Sequence, residues 1–121
     1  MATILIVEDN ENVRQAYQLI LQSEGYTTLE ASNGKEALEI ISLHPLDLVL
    51  LDVGLPDING FDVLSTLRKT NTDLPVLVVT AYSSIKKVIE IMDLGISGYL
   101  VKPVPGEKMI EKVKEILNPA A

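Results

Sequence analysis

The chain has 121 residues and no cysteine, so it fits a single domain over 1–121 that closes its core without disulfide or structural zinc. Seventeen acidic residues against ten basic ones give a net charge of −7, which repels a phosphate backbone and argues against direct nucleic-acid binding. The opening Met1-Ala2-Thr3-Ile4-Leu5-Ile6-Val7-Glu8-Asp9 has no basic leader, and its apolar run is too short for a signal peptide or a membrane span, so a soluble cytoplasmic protein is expected.

In chain order, Ile4 to Val7 is an apolar run without alternation, the mark of a strand buried on both faces, and it ends on the carboxylates Glu8 and Asp9. Asn10 can cap a helix reaching Glu24, with Val13, Ala16, Tyr17 and Ile20 on one face, and Gly25 ends it. Tyr26 to Glu30 is short and mixed, as an edge strand with a wet face would be. Asn33-Gly34 opens a second helix that buries Ala37, Leu38, Ile40 and Ile41 until Pro45 stops it. The central strand follows as Leu48-Val49-Leu50-Leu51-Asp52, again unbroken and again ending on a carboxylate. After the turn residues Val53 to Gly60, Phe61, Leu64 and Leu67 recur at helical spacing. Pro75 introduces the buried strand Val76 to Thr80, and Ser83 or Ser84 can cap a fourth helix with Ile85, Val88, Ile89 and Met92 on one side, before Gly95. Gly98 to Val101 is the last strand, running into Lys102-Pro103, and a helix from about Pro105 to Leu117 turns Met109, Val113, Ile116 and Leu117 inward.

Five strands alternating with five helices predict an α/β fold: a doubly wound, flavodoxin-like parallel sheet of order 2-1-3-4-5. The switch point between strands 1 and 3 then gathers Glu8, Asp9 and Asp52 in one crevice, with Thr80 and Lys102 arriving on the same rim. Carboxylates this close repel one another unless a cation intervenes, which predicts a hard, oxygen-bound metal, Mg2+ first among them. A lysine and a hydroxyl beside them suit the oxygens of a transferred phosphoryl group, with a carboxylate as its acceptor.

At this point the chain resembles the receiver domains of two-component response regulators over nearly its whole length. The matching pieces are Val7-Glu8-Asp9, Leu50-Leu51-Asp52 with Leu55-Pro56-Asp57-Ile58-Asn59-Gly60, Val79-Thr80-Ala81, and Gly98-Tyr99-Leu100-Val101-Lys102-Pro103. The resemblance implies a phosphorylation-activated signalling switch that is not an enzyme, although it assists its own phosphoryl transfer and dephosphorylation. Asp52 is the implied phosphoacceptor and Asp9 the principal Mg2+ carboxylate, with Glu8 assisting directly or through water. A backbone carbonyl of Val53 or Gly54 would complete the metal site, and the family's placement favours Gly54. Thr80 and Lys102 would hold the phosphoryl oxygens, Tyr99 would act as a rotamer switch coupled to Thr80, and the bond before Pro103 would be cis. The implied partners are a sensor histidine kinase or phosphotransfer protein, which supplies the donor histidine, and an output domain or downstream protein. Control would pass through the face built from the fourth helix, the fifth strand and the last helix.

The departures are Gly54, which has no side chain where many relatives carry one, and Tyr82, a large ring two residues beyond Thr80; both positions influence water access. Gly98 stands where the winged-helix subclass has an acidic residue used in dimerisation, and the last helix has no arginine to pair with one. An aspartyl-phosphate phosphohydrolase would carry an aspartate at Gly54, and a flavodoxin-type redox carrier would need a Ser/Thr/Gly-rich phosphate loop where Glu8-Asp9-Asn10-Glu11 stands. A pseudo-receiver, folded but never phosphorylated and acting as a binding module, is the alternative from another functional class. His44 precedes Pro45 in a loop on the opposite edge and receives no chemistry.

Overall fold

The computed structural model describes residues 2–53, 55, 60–71, 73–81 and 95–118. Gly54, the turn residues Pro56 to Asn59, Tyr82 and the helix expected after Ser83 lie outside the described residues. The elements are β1 (Thr3–Val7), α1 (Glu11–Ser23), β2 (Thr27–Ala31), α2 (Gly34–Leu43), β3 (Leu48–Asp52), α3 (Gly60–Thr70), β4 (Val76–Thr80), β5 (Gly98–Val101) and α4 (Gly106–Leu117). All strand pairs are parallel and the sheet order is β2-β1-β3-β4-β5.

The unbroken apolar runs have a direct cause, because alternate strand residues point to opposite faces and both faces are covered. Ile4, Ile6, Leu48, Leu50, Leu77 and Val79 pack with Tyr17 and Leu21 of α1 and with Met109 and Val113 of α4. Their neighbours Leu5, Val7, Val49, Leu51, Val76 and Val78 pack on the other side with Ala37 of α2 and with Val63, Leu64 and Leu67 of α3. At roughly 1.5–3 kcal/mol for each large side chain removed from water, these two layers supply the main favourable term of folding.

Two expectations are corrected. Tyr26 does not begin β2, because its N–H bonds to Leu21 O (3.2 Å) while Gly25 N–H bonds to Gln22 O (3.0 Å), closing α1 with Gly25 at φ 91°. The ladder therefore starts at Thr27, opposite Thr3. Ala16 is exposed; α1 is seated instead through buried Tyr17 and Leu21, flanked by half-buried Val13 and Ile20. Asn10 caps α1 as its sequence suggests, accepting from Val13 N–H at 3.0 Å.

Candidate functional site

Strand register builds the site. Val7 pairs with Leu51, so Glu8 stands level with Asp52; Asp52 pairs with Val79, and Thr80 with Val101, so each next residue along β4 and β5 steps toward the same rim. Lys102 N–H donates to Thr80 O at 2.8 Å, which carries the ladder one residue past β5. The Lys102–Pro103 peptide is cis.

At that rim Lys102 Nζ donates to Glu8 Oε1 at 2.8 Å and to Asp52 Oδ2 at 3.1 Å. Glu8, Asp52 and Thr80 are the buried polar residues among those described, at 1%, 6% and 0% exposure. The second oxygen of Glu8 accepts from Asn10 N–H at 3.1 Å. Asp9 is exposed, yet one oxygen from each of Glu8, Asp9 and Asp52 lies within 4.8 Å of the others. Oxygens on opposite sides of a bound Mg2+ are about 4.2 Å apart, so this donor set has the size and hardness that Mg2+ requires. Tyr99 on β5 is exposed and lines a shallow hollow with Lys108 and Lys112 of α4.

Burial pushes the Glu8 carboxyl above its ordinary value; the hydrogen bonds from Lys102 and Asn10 oppose this without cancelling it, and Asp9 and Asp52 add to it. Burial also opposes the Lys102 charge, but hydrogen bonds and charge from Glu8 and Asp52 outweigh it and hold the ammonium above its usual value. Burial likewise raises the Tyr17 phenol, which feels the charges of Lys102, Glu8 and Asp52. A carboxyl with a raised folded value contributes its full stability below the unfolded value of 4.5 and loses it as pH rises through the folded value. In metal-free protein, Glu8→Gln should therefore gain stability relative to the parent between pH below 4.5 and neutrality, read as a difference in urea midpoints. A difference that stays constant across that span would contradict the electrostatic account of Glu8.

Two nearby residues carry no chemical signature in the sequence. Arg14 Nη1 donates to the Glu8 carbonyl at 2.9 Å and its Nε to Glu30 Oε1 at 3.2 Å. Tyr17 is 7% exposed and lines a groove of about 510 Å³ with Val13, Ala16, Lys102, Pro103 and Val104. A basic residue on the first turns of α1 and an aromatic one turn further were the available signals.

A family model for the response regulator receiver domain matches residues 4–114. The uncharacterized transcriptional regulatory protein YkoG of Bacillus subtilis is 40% identical over 115 residues, which cover 95% of this chain and 50% of that protein. The response regulator MprA of Mycolicibacterium vanbaalenii is 37% identical, with coverage of 95% and 50%. The chain thus spans about half the length of the curated relatives it matches. Among solved structures, a CheY-like receiver domain protein from Methanospirillum hungatei has a TM-score of 0.93 at 31% identity, covering 98% of this chain and 95% of that one. The response regulator TrrA from Thermotoga maritima, in complex with Mg2+ and BeF, has a TM-score of 0.88 at 36% identity, covering 97% and 100%. A match that begins in β1 and ends in α4, with identities at this level across the same span, makes this chain a member of the response regulator receiver domain family.

Proposed function

We propose that the chain is one receiver domain over 1–121 and acts as a phosphorylation-activated switch, with Asp52 accepting a phosphoryl group from a phosphohistidine on a sensor kinase or phosphotransfer protein. The observation that carries this reading is the Lys102 ammonium shared between Glu8 and Asp52, with the Asp9 carboxylate in the same cluster. A carboxylate oxygen of Asp52 attacks phosphorus, the P–N bond to the donor imidazole breaks, and the imidazole leaves to take a proton from water. Lys102 offsets charge on the phosphoryl oxygens as it exchanges carboxylate partners for them, and Thr80, buried at the end of β4, offers its hydroxyl to the same group. Asp9, Glu8 and Asp52, with the carbonyl of Gly54, are the residues proposed to hold Mg2+. When bound, Mg2+ supplies Lewis-acid stabilisation of the phosphoryl charge.

The groove beside Lys102 supports a protein donor, since its apolar wall of Val13, Ala16, Pro103 and Val104 gives a partner helix a seat next to the acids. On the output side, bonds from Thr80 and Lys102 that form only after phosphorylation bias the domain toward a second arrangement, which Tyr99 passes to an output domain or downstream protein. The chain is read as a cytoplasmic phosphoacceptor, not an enzyme; no helix among its described residues is long and apolar enough to cross a membrane.

The test is incubation with an acyl phosphate and, separately, with a phosphohistidine donor, each with and without Mg2+, followed by intact mass and peptide mapping. The expected result is a Mg2+-dependent gain of one phosphoryl group located on Asp52. A mass unchanged with the acyl phosphate and with a phosphohistidine donor would leave the pseudo-receiver in its place.

A further inference from the structure

We propose that Arg14 is a positioning residue for the Mg2+ carboxylates, acting through the backbone carbonyl of Glu8; this rests on the metal site proposed above. Arg14 reaches from the first turns of α1 to two strands at once. Its Nη1 donates to Glu8 O at 2.9 Å and its Nε to Glu30 Oε1 at 3.2 Å, with its side chain only 16% exposed. Glu30 lies on the edge strand β2, opposite Ile6 of β1.

The bond to Glu8 O completes the hold on the end of β1, where the sheet ladder runs out. Glu8 N–H still bonds to Ala31 O at 3.1 Å, but Glu8 lies one residue beyond β1, and Arg14 takes its carbonyl. Both sides of the Glu8 backbone are therefore held, and with them the plane of the Glu8–Asp9 peptide. That plane sets the direction of the Asp9 side chain. Glu8 also has its carboxylate anchored, by Lys102 and by Asn10 N–H, whereas exposed Asp9 depends on its backbone to bring its carboxylate to the cluster. The rigid fork of a guanidinium suits two acceptors on two strands; a lysine ammonium is a single point of charge on a flexible stem.

Charge and geometry make opposite predictions here, which makes the role measurable. As a cation beside the acids, Arg14 repels Mg2+, so its removal on charge grounds alone tightens binding. As a positioning residue it aligns the ligands, so its removal weakens binding, by about tenfold on the scale typical of groups that orient metal ligands.

The experiment is calorimetric titration of the parent, Arg14→Lys and Arg14→Met with Mg2+ alone, with the folded fraction of each measured by urea unfolding without Mg2+. Both variants are expected to bind Mg2+ about tenfold more weakly at full folded fraction, Arg14→Lys despite its retained charge and Arg14→Met despite the loss of a repelling one. Parent-like affinity in Arg14→Lys, equal or tighter binding in Arg14→Met, or a loss that disappears once the unfolded fraction is corrected would each overturn the proposal. A parent that binds no Mg2+ would instead remove the metal site itself, and the positioning role with it.

Discussion

Asp52→Asn is expected to abolish phosphoryl uptake while leaving the domain folded. The amide has nearly the shape of the carboxylate, so at 6% exposure it fits the same space at the end of β3. What it loses is the nucleophile, because an amide oxygen shares its electrons with nitrogen and carries no charge to direct at phosphorus. Both neighbours lose a charge that holds them above their ordinary values. Glu8 is relieved of one charge that raises its carboxyl, while Lys102 keeps the 2.8 Å bond to Glu8 and has only a neutral acceptor in place of the carboxylate at 3.1 Å. The variant should therefore unfold cooperatively and show no mass gain under conditions that modify the parent. Modification of the variant at the parent's stoichiometry would mean that the acceptor is another residue.

The parts of this molecule that were legible from sequence share a physical cause: they are local or follow from burial. β1, β3 and β4 read as strands because both sheet faces are covered, which leaves no polar alternation to confuse the pattern. Given the strand order, the gathering of Glu8, Asp9 and Asp52 follows from chain position, since each lies at or just past a strand end. What could not be read depends on partners far along the chain. Arg14 meets Glu30, sixteen residues away, only because β2 lies beside β1. Arg68 is similar: its guanidinium binds the carbonyls of Asn71, Leu74 and Gly95, joining the end of α3 to the segments before β4 and β5. Periodicity also leaves the edges of a helical stripe open: Val13, Tyr17 and Ile20 face the core, but Ala16 at one edge is exposed and Leu21 beyond the other is buried.

Gly60→Ala is expected to cost about 3 kcal/mol or more, the upper end for an added methyl in a filled core. The first residue of α3 lies directly against Val53, the residue that follows Asp52, the proposed acceptor. A Cβ on Gly60 would stand 2.3 Å from Val53 Cα and 2.8 Å from Val53 Cβ and Cγ1. The nearest of these atoms is backbone, so no change of rotamer relieves the contact. Gly60 N–H also donates to Val53 O at 3.0 Å, and Val53 itself is 3% exposed within the layer formed by Leu51, Val63 and Leu64. Either α3 retreats and that bond breaks, or Val53 leaves the core and moves the strand end carrying Asp52. Both routes join lost stability to slower phosphoryl uptake. Gly106→Ala supplies the control at the start of another helix: its Cβ would meet only Ile20 Cδ1 at 3.4 Å and Cγ1 at 3.7 Å, the mobile end of a side chain. There the better helix propensity of alanine, about 0.8–1.0 kcal/mol in a helix interior and less at an end, sets the sign. Urea unfolding should show a large fall in midpoint for Gly60→Ala and none for Gly106→Ala. Equal midpoints for the two would mean that the approach of Gly60 to Val53 does not constrain the acceptor loop.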